Sequence, residues 1–494
     1  MRRHRLSAWC GVVFAVSMAP LARCYDDDGG DNLNERTPGN GDDGVLLWNG
    51  EIAIDPTGHY LVATLDGRLI HGDLSNGTTR ALPRLDGTTR LAFDHAGTSV
   101  FVSRVELEEE AEAVARRGGA IQIGARTNGS RLVRYDLSAG KELWSRPVEI
   151  ARTLDNRYRP ENYPFLDVTD DDKRLVVSEA GQVSVLAADS GKQLLTTGRL
   201  PRRVVDVDLT RDQQHAVITL AHAWPDAEHP ETRVQIRDLK TFALHEVVVP
   251  NCSSELAVMP DGKRAFLAPP TCEHTRADDN FDEPAPPTGK RRDPVSVIDL
   301  EQHAFIRNLP GFGPVALVQG GDLAVAFMDR ETLDEALFDH PEQIPREGPR
   351  YRLMLIDTET LEFETLELGD DVPRYALTPD GQLLLVDAPS LWLDGRIRIL
   401  DTVTRELTQL SGPGLRLDNY VMTRDSSQAF LLDRGLFRIS LAERRAVAEP
   451  IMFTPTRINI TPDDRQLVLR ESEEVLWLYD IESSELKQSF KLER

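Results

Sequence analysis

The sequence predicts an all-β fold, a single β-propeller built from four-stranded antiparallel blades. One pattern of strands recurs from Val45 to the end of the 494-residue chain, and two tight-turn signals recur at fixed places inside it. Chain length alone would suggest several separate domains. The internal repeats outweigh this expectation from length. Repeated units that cannot bury both faces alone stack on one another, and closing them into a ring removes exposed strand edges.

The first turn signal joins two apolar strands. It reads Asp55-Pro56-Thr57-Gly58, Pro260-Asp261-Gly262 and Pro379-Asp380-Gly381 in three copies. Asp and Gly suit tight hairpins because such turns need residues that accept a positive φ or hydrogen-bond their own backbone. The second strand of each unit, such as Gln382–Asp387, is very apolar.

The second turn signal follows the third strand of each unit, which is predicted to end in Asp and to lead into a fourth strand. The predicted strand-ending residues are Asp73, Asp136, Asp189, Asp238, Asp299, Asp357, Asp401, Ser440 and Asp480.

Together the two signals define nine units, which start near residues 52, 90, 165, 205, 255, 314, 374, 419 and 457. Propellers usually have four to eight blades, so eight blades is the alternative. The Pro-Asp-Gly turn and the Asp-ended third strand resemble the WD40-like and YVTN-type propeller repeats of bacterial envelope lipoproteins. The resemblance implies one propeller domain over residues 45–494, on a fold that serves many unrelated functions.

The N-terminal region is predicted to direct export. Residues 1–23 combine a basic start with an apolar run, Leu6–Ala22, which is typical of a signal peptide. Leu21-Ala22-Arg23-Cys24 resembles a bacterial lipobox and predicts lipidation of Cys24. Arg23 stands where a small residue is expected, so an ordinary cleaved signal and a periplasmic or secreted protein is the alternative. Residues 24–44 are acidic and nearly free of apolar side chains, which predicts a disordered tether.

The charge balance restricts the class of partner. The formal net charge is −24, whereas a nucleic-acid-binding protein presents a basic face to phosphates. An acidic surface also repels anionic lipid headgroups. We therefore expect no nucleic-acid partner, and contact with a membrane only through the N-terminal lipid anchor.

Long insertions interrupt the repeat on one side of the predicted ring. They cover Val105–Ser130, Ala221–Thr232, Pro269–Asp293 and Arg330–Arg350, between second and third strands, and Ala151–Pro164, between two units. In a four-stranded blade these two kinds of connection leave the same face. Because insertions carry function in repeat proteins more often than the repeats do, this face is the predicted binding face.

Two groups of insertion residues are candidate site residues. An aromatic and basic group could line a binding pocket or simply pin its loop to the ring, and it consists of Arg157, Tyr158, Arg159, Tyr163 and Trp224. A histidine group could hold zinc or a similar ion with nearby carboxylates, or could be solvated, and it consists of His222, His229 and His274. No catalytic residue is predicted.

A disulfide between Cys252 and Cys272 is also predicted. Export places the chain where disulfides persist. Signal removal and lipidation at Cys24 leave only this pair of the four cysteines. A hairpin that pairs Val258 with Ala265 brings the two cysteines within one residue of facing each other.

These features favour a non-enzymatic binding or scaffold protein of the bacterial cell envelope. We expect it to recognise a protein or peptide on the insertion-bearing face. No cofactor is predicted. The alternative is a metal- or cofactor-dependent enzyme, resembling lactonase or oxidoreductase propellers, with its site at the mouth of the central channel.

Overall fold

The computed structural model describes residues 45–47 and most of 52–492. The residues outside the description within this range are 48–51, 66–67, 83–88, 108–126, 149–164, 180, 201, 203, 221–230, 252, 254, 270–293, 331–346, 370–372, 388–396, 412–414, 418 and 473. In the described part no helix has the length and apolar character needed to cross a membrane.

The described chain forms nine antiparallel sheets, one per blade, which are arranged in a ring. Blades 1 to 3 contain β2(Ile52–Ile54), β3(Tyr60–Leu65), β4(Arg68–Asp73), β5(Thr78–Ala81); β6(Thr89–Phe93), β7(Ser99–Leu107), β8(Thr127–Asp136), β9(Lys141–Val148); and β10(Leu166–Val168), β11(Arg174–Glu179), β12(Gln182–Ala187), β13(Gln193–Thr196). Blades 4 to 6 contain β14(Val204–Leu209), β15(His215–Leu220), β16(Thr232–Asp238), β17(Leu244–Val249); β18(Glu255–Val258), β19(Arg264–Ala268), β20(Val295–Asp299), β21(Ala304–Leu309); and β22(Phe312–Val318), β23(Leu323–Asp329), β24(Tyr351–Asp357), β25(Phe363–Gly369). Blades 7 to 9 contain β26(Arg374–Leu377), β27(Leu383–Asp387), β28(Arg398–Asp401), β29(Leu407–Gln409); β30(Tyr420–Met422), β31(Gln428–Leu432), β32(Leu436–Ser440), β33(Arg445–Ala448); and β34(Arg457–Ile460), β35(Gln466–Arg470), β36(Val475–Asp480), β37(Glu485–Lys491).

The blades are held together by apolar layers between neighbouring sheets. The layer between blades 8 and 9, for example, joins Phe430 to Leu467 and Tyr479, all of them buried. Each blade is apolar on both faces, so it is stable only between two neighbours.

The first and last blades meet directly and close the ring. An apolar layer between them includes Leu61 and Val468. Asn459 donates its Nδ2 hydrogen to the carbonyl oxygen of Ile52 at 3.0 Å, and the Thr79 hydroxyl donates to the carbonyl oxygen of Lys491 at 2.7 Å. Among the described strands, none is shared between these two blades.

One short strand lies outside the four-strand pattern. β1(Val45–Leu47) precedes blade 1 in the chain but pairs with β6, the innermost strand of blade 2. The pairing is antiparallel, and Val45 faces Leu91 while Leu47 faces Thr89. Blade 2 therefore has a fifth strand on the channel side.

The structure confirms the predicted fold class, the nine units and their starting points, and it decides against eight blades. Two details of the prediction were wrong. In blade 3 the third strand ends at Ala187 and not at Asp189, because the Ala187 carbonyl oxygen accepts the amide hydrogen that closes the turn, donated by Gly191. The insertion predicted over Val105–Ser130 is also shorter, since β7 and β8 remain paired as far as Leu107 and Thr127.

Candidate functional site

The connections divide the ring into two unlike faces. The first, here called the loop-bearing face, carries the connections from second to third strands and from one blade to the next. The long connections on this face are 108–126, 149–165, 221–231, 269–294 and 330–350. On the opposite face, here called the plain face, every connection is a short turn.

Hydrogen bonds join some of the plain-face turns of neighbouring blades. Four of the turns between first and second strands place a non-glycine residue in the left-handed region, namely Asp172, Gln213, Ser426 and Asp464. Each of these side chains accepts a backbone amide hydrogen from the preceding blade's turn, donated by His95, Asp170, Asp380 and Arg424 respectively, at 2.7–3.0 Å. At four of the nine blade junctions, polar groups of the plain face are thus used to hold neighbouring blades together.

At Gly58, which stands at the same turn position in blade 1, both backbone and space favour glycine. Its φ is +74°, and a Cβ atom there would lie 3.1 Å from the ring of Pro462 in the neighbouring blade. At this turn the sequence signal therefore reflects packing between blades as well as local backbone conformation.

The candidate residues predicted from the sequence all lie outside the described residues. This holds for the lipidation site Cys24, for Arg157, Tyr158, Arg159, Tyr163 and Trp224, and for His222, His229 and His274. The connections that contain the aromatic, basic and histidine candidates all start and end on the loop-bearing face. Within the described ranges, no group of three or more His, Cys, Asp or Glu side chains could hold a metal ion.

Cys252 and Cys272 also lie outside the described residues, so their disulfide stays a prediction. The predicted hairpin register is confirmed, because Val258 pairs with Ala265. The pairing between the two strands of this hairpin, however, begins only at Glu255. The residues flanking Cys252 turn instead to a buried polar network, in which Asn251 donates to Asn308 Oδ1 at 3.0 Å and the Ser253 amide donates to the Thr232 hydroxyl oxygen at 2.9 Å. The hairpin geometry therefore gives no support to the disulfide.

A buried carboxyl group lies at the loop-bearing end of blade 7. Asp387 ends β27, the second strand of blade 7, and is fully buried. One carboxylate oxygen accepts the amide hydrogen of Leu417 at 3.0 Å, and the other has no hydrogen-bond partner among the described residues. Arg374 pairs with Asp387 across the first and second strands.

The surroundings of Asp387 shift its protonation equilibrium. Burial raises the pKa of Asp387 above its ordinary value, and this effect outweighs the Leu417 amide and the charges of Arg374 and Arg416, which act to lower it. Carboxyl groups with perturbed pKa values concentrate at functional sites. Sequence reasoning missed Asp387, because in the sequence it looks like the other strand-ending Asp residues.

Asp387→Asn is expected to stabilise the protein at pH 7 by on the order of 1 kcal/mol, as replacements of costly functional groups often do. The reason is that the Asp387 carboxyl group binds a proton more readily in the folded state than in the unfolded chain. The folded state therefore loses stability as the pH rises from the unfolded pKa of 3.8 through the raised folded pKa. Denaturant-induced unfolding of the variant and the original protein at pH 7 and below pH 4 tests this prediction. The gain in unfolding free energy must disappear at the lower pH.

Asp136→Asn provides a matched control for that measurement. The pKa of Asp136 is lowered by the amide of Ala139 and the hydroxyl of Ser138, so its replacement should destabilise the protein at pH 7. An Asp387→Asn variant that behaved like Asp136→Asn would show that Asp387 is a stabilising residue.

An apolar group is exposed on the same face between blades 8 and 9. Met452 is 92% exposed, and the neighbouring Phe453 stacks on Trp477 with ring centroids 5.9 Å apart. The Trp477 indole donates to Glu471 at 2.8 Å, which fixes the ring. Exposed methionine beside a fixed aromatic is typical of surfaces that bind proteins or peptides.

Fold and geometry together define a nine-bladed β-propeller with one plain face and one loop-bearing face. No family model matches the sequence, and no curated protein matches it.

Many solved structures share parts of the fold. A eukaryotic initiation factor is 10% identical, with 89% of each chain covered and a TM-score of 0.49. The Dos1 propeller is 10% identical, with 77% of this chain and 88% of that chain covered and a TM-score of 0.46. A dihydro-heme d1 dehydrogenase is 17% identical, with 75% and 67% covered and a TM-score of 0.39. Enzymes and non-enzymes both occur among these structures, so the similarity gives no information about activity.

Proposed function

We propose that this protein is a non-enzymatic binding or scaffold propeller of the bacterial cell envelope, which recognises a protein or peptide on its loop-bearing face. The observation that carries the proposal is the asymmetry of the ring. All long connections leave one face, whereas every connection on the other face is a short turn. The long connections therefore concentrate on one side, as expected for a recognition surface on a rigid scaffold.

Two described features of the loop-bearing face support the proposal. Met452 presents an almost fully exposed apolar side chain, of the kind that inserts into a partner. Asp387 is a buried carboxyl whose raised pKa indicates a cost to stability, and such a cost is commonly accepted at binding sites.

Photocrosslinking from the two faces tests the proposal. Benzoylphenylalanine in place of Met452 is expected to give a discrete adduct with one envelope protein or peptide. The control is the same group in place of Val403, an apolar side chain that is 66% exposed in a plain-face turn. Adducts of equal yield from both positions, or from Val403 alone, would argue against a binding face on the loop-bearing side.

The proposal includes export and a lipid anchor at Cys24, supported by the signal-like N-terminus of the sequence. Cys24→Ala is expected to move the protein from the membrane fraction to the soluble fraction, because multiple acyl chains hold a protein far more firmly than a single chain does. Cys24→Ala protein that stays with the membranes to the same extent as the original would rule out this anchor.

A further inference from the structure

The turns between third and fourth strands form the outer rim of the plain face, and all nine share one backbone geometry. In each turn the residue four positions after the end of the third strand has a positive φ, and it is here called the rim-turn residue. The nine rim-turn residues are Gly77, Gly140, Gly191, Phe242, His303, Leu361, Arg405, Arg444 and Ser484. Because the geometry repeats, side chains at equivalent positions of different blades can be compared directly.

The rim-turn residue of one blade contacts the outer strand of the blade before it. Arg405 of blade 7 pairs with Glu364 of blade 6 at 2.7 Å, and Arg444 of blade 8 donates to the Thr408 hydroxyl oxygen of blade 7 at 2.6 Å. Glu364 and Thr408 hold the same place, three residues beyond the rim-turn residue of their own blade. This position is therefore a repeated point of contact between neighbouring blades.

At the junction of blades 4 and 5 the same contact is a pair of histidines. His245 on β17 lies three residues beyond Phe242, and His303 is the rim-turn residue of blade 5. Their ring planes differ by only 6°, and the ring centroids are 3.6 Å apart. His245 is exposed and His303 is half-buried. The two imidazoles thus lie face to face in direct contact, one from each blade.

A third histidine and two carboxyl groups surround the pair. His215 on β15 lies on the same face of blade 4 as His245, since aligned residues of paired strands share a face. Asp238, which pairs with His215, and Asp299 of blade 5 each accept amide hydrogens from their own turns. Partial burial lowers the pKa of His303, and His245 and His215 act in the same direction, whereas Asp299 opposes them.

Other charged side chains nearby are directed elsewhere or lie in solvent. Glu246, the next residue of β17, pairs with Arg233 on the opposite face of blade 4. Arg307 of β21 pairs with Val297, which belongs to the apolar layer toward blade 6. In the two rim turns themselves, Lys240 and Glu301 are exposed.

We propose that the stacked pair His245–His303 is a pH-sensitive switch that controls the contact between blades 4 and 5. The rings stack while at least one of them is neutral. When both carry a proton, like charges in contact repel, and the turn of blade 5 separates from β17. Histidine is the side chain whose ordinary titration falls between pH 5 and 8. The equivalent carboxylate, hydroxyl and guanidinium contacts of blades 6 to 8 keep their charges, so the opening is confined to one junction.

The direction of the pH dependence follows from the lowered pKa of His303. The open junction binds a proton at His303 more readily than the closed junction does. The closed state is therefore fully stable above the ordinary pKa of 6.5 and loses stability as the pH falls through the lowered value.

Opening of the rim would expose apolar side chains that lie behind the two rings. Val247 follows His245 on β17, and Phe305 follows His303 on β21. Both belong to the apolar layer between blades 4 and 5. Acidification is therefore expected to uncover an apolar strip on the outer edge of the ring, independently of the loop-bearing face and of any lipid anchor.

Amide hydrogen exchange of the full chain at pH 7 and pH 5 tests the switch, with each rate divided by the intrinsic rate at the same pH. Segments 244–249 and 299–309 are expected to lose protection roughly tenfold at pH 5, the equivalent of one pKa unit. Segments 363–369 and 401–409, at the equivalent junction of blades 6 and 7, serve as the internal control and should keep theirs. Equal changes at both junctions, or no change at blades 4 and 5, would overturn the proposal.

Two variants separate repulsion within the pair from a general effect of acid. His245→Phe keeps a ring against His303 but carries no charge, and His303→Asn cannot titrate while Asn tolerates a positive φ. Each variant should retain the protection of segments 244–249 and 299–309 at pH 5. His71→Phe makes the same substitution at a buried histidine of blade 1 and should leave the loss at blades 4 and 5 unchanged. A loss in both pair variants as large as that in the original protein would refute the switch.

Discussion

Arg350→Ala is expected to destabilise the protein by about 3 kcal/mol, since removing one partner of a buried ion pair leaves an uncompensated charge. Asp329 is fully buried at the end of β23. Arg350 donates to both of its carboxylate oxygens, from Nε at 3.0 Å and from Nη2 at 2.9 Å. Denaturant-induced unfolding of the variant and the original protein measures the loss.

The Asp329–Arg350 pair also joins the two ends of a long loop-bearing connection. The Arg330 amide donates to the Arg350 carbonyl oxygen at 3.0 Å just beyond the ion pair. We therefore expect Arg350→Ala to increase proteolysis within 331–346 before the ring itself unfolds.

Arg405→Ala is the matched control for Arg350→Ala. Arg405 pairs with Glu364 at 2.7 Å, but both side chains are about half exposed, and such pairs contribute about 1 kcal/mol or less. Equal losses for the two variants would show that burial of Asp329 does not determine the effect.

His71→Phe is expected to protect the protein against acid. Burial, with a smaller contribution from Arg80, lowers the pKa of His71 from 6.5 to about 4. Below pH 6.5 the unfolded chain binds the proton more readily than the folded protein does, so stability falls as pH decreases and the full loss is reached near pH 4. At about 1.4 kcal/mol per pKa unit, the loss is about 3 kcal/mol.

The position of His71 explains how its protonation would affect the contact between blades 1 and 2. Its ring packs against that of Tyr60 inside blade 1, with centroids 5.1 Å apart and the planes tilted by 34°. On the adjacent strand Arg80 donates to backbone carbonyl oxygens of Leu137 and Ala139 in blade 2, at 3.0 and 2.9 Å. A charged imidazole beside Arg80 would therefore weaken the contact between blades 1 and 2.

The measurement compares unfolding free energies of His71→Phe and the original protein from pH 7 to pH 4. The difference should grow to about 3 kcal/mol in favour of the variant. Val62→Ala, at the buried position that pairs with His71, serves as control because a cavity costs the same at every pH. A constant difference for His71→Phe would mean that His71 is not the acid-sensitive group.

The sequence by itself determined the repeat. Residues 55–58 and 378–381 hold their turns through contacts within a few positions, as when the Thr378 hydroxyl donates to Asp380 at 2.7 Å. Local backbone requirements of this kind are visible in a single sequence, because they depend on residue type at fixed spacing. The nine blades, their starting points and the two unlike faces followed from such signals and from the lengths between them.

The tertiary structure alone decided which charged groups are buried and how the ring closes. Asp387 and Asp329 look like other strand-ending Asp residues in the sequence, but they end second strands, on the loop-bearing side, where neighbouring connections remove them from water. The bond from Asn459 to Ile52 joins residues 407 positions apart, and β1 pairs with blade 2 although blade 1 follows it in the chain. Contacts between distant positions depend on how the blades pack, and no local pattern in the sequence encodes them.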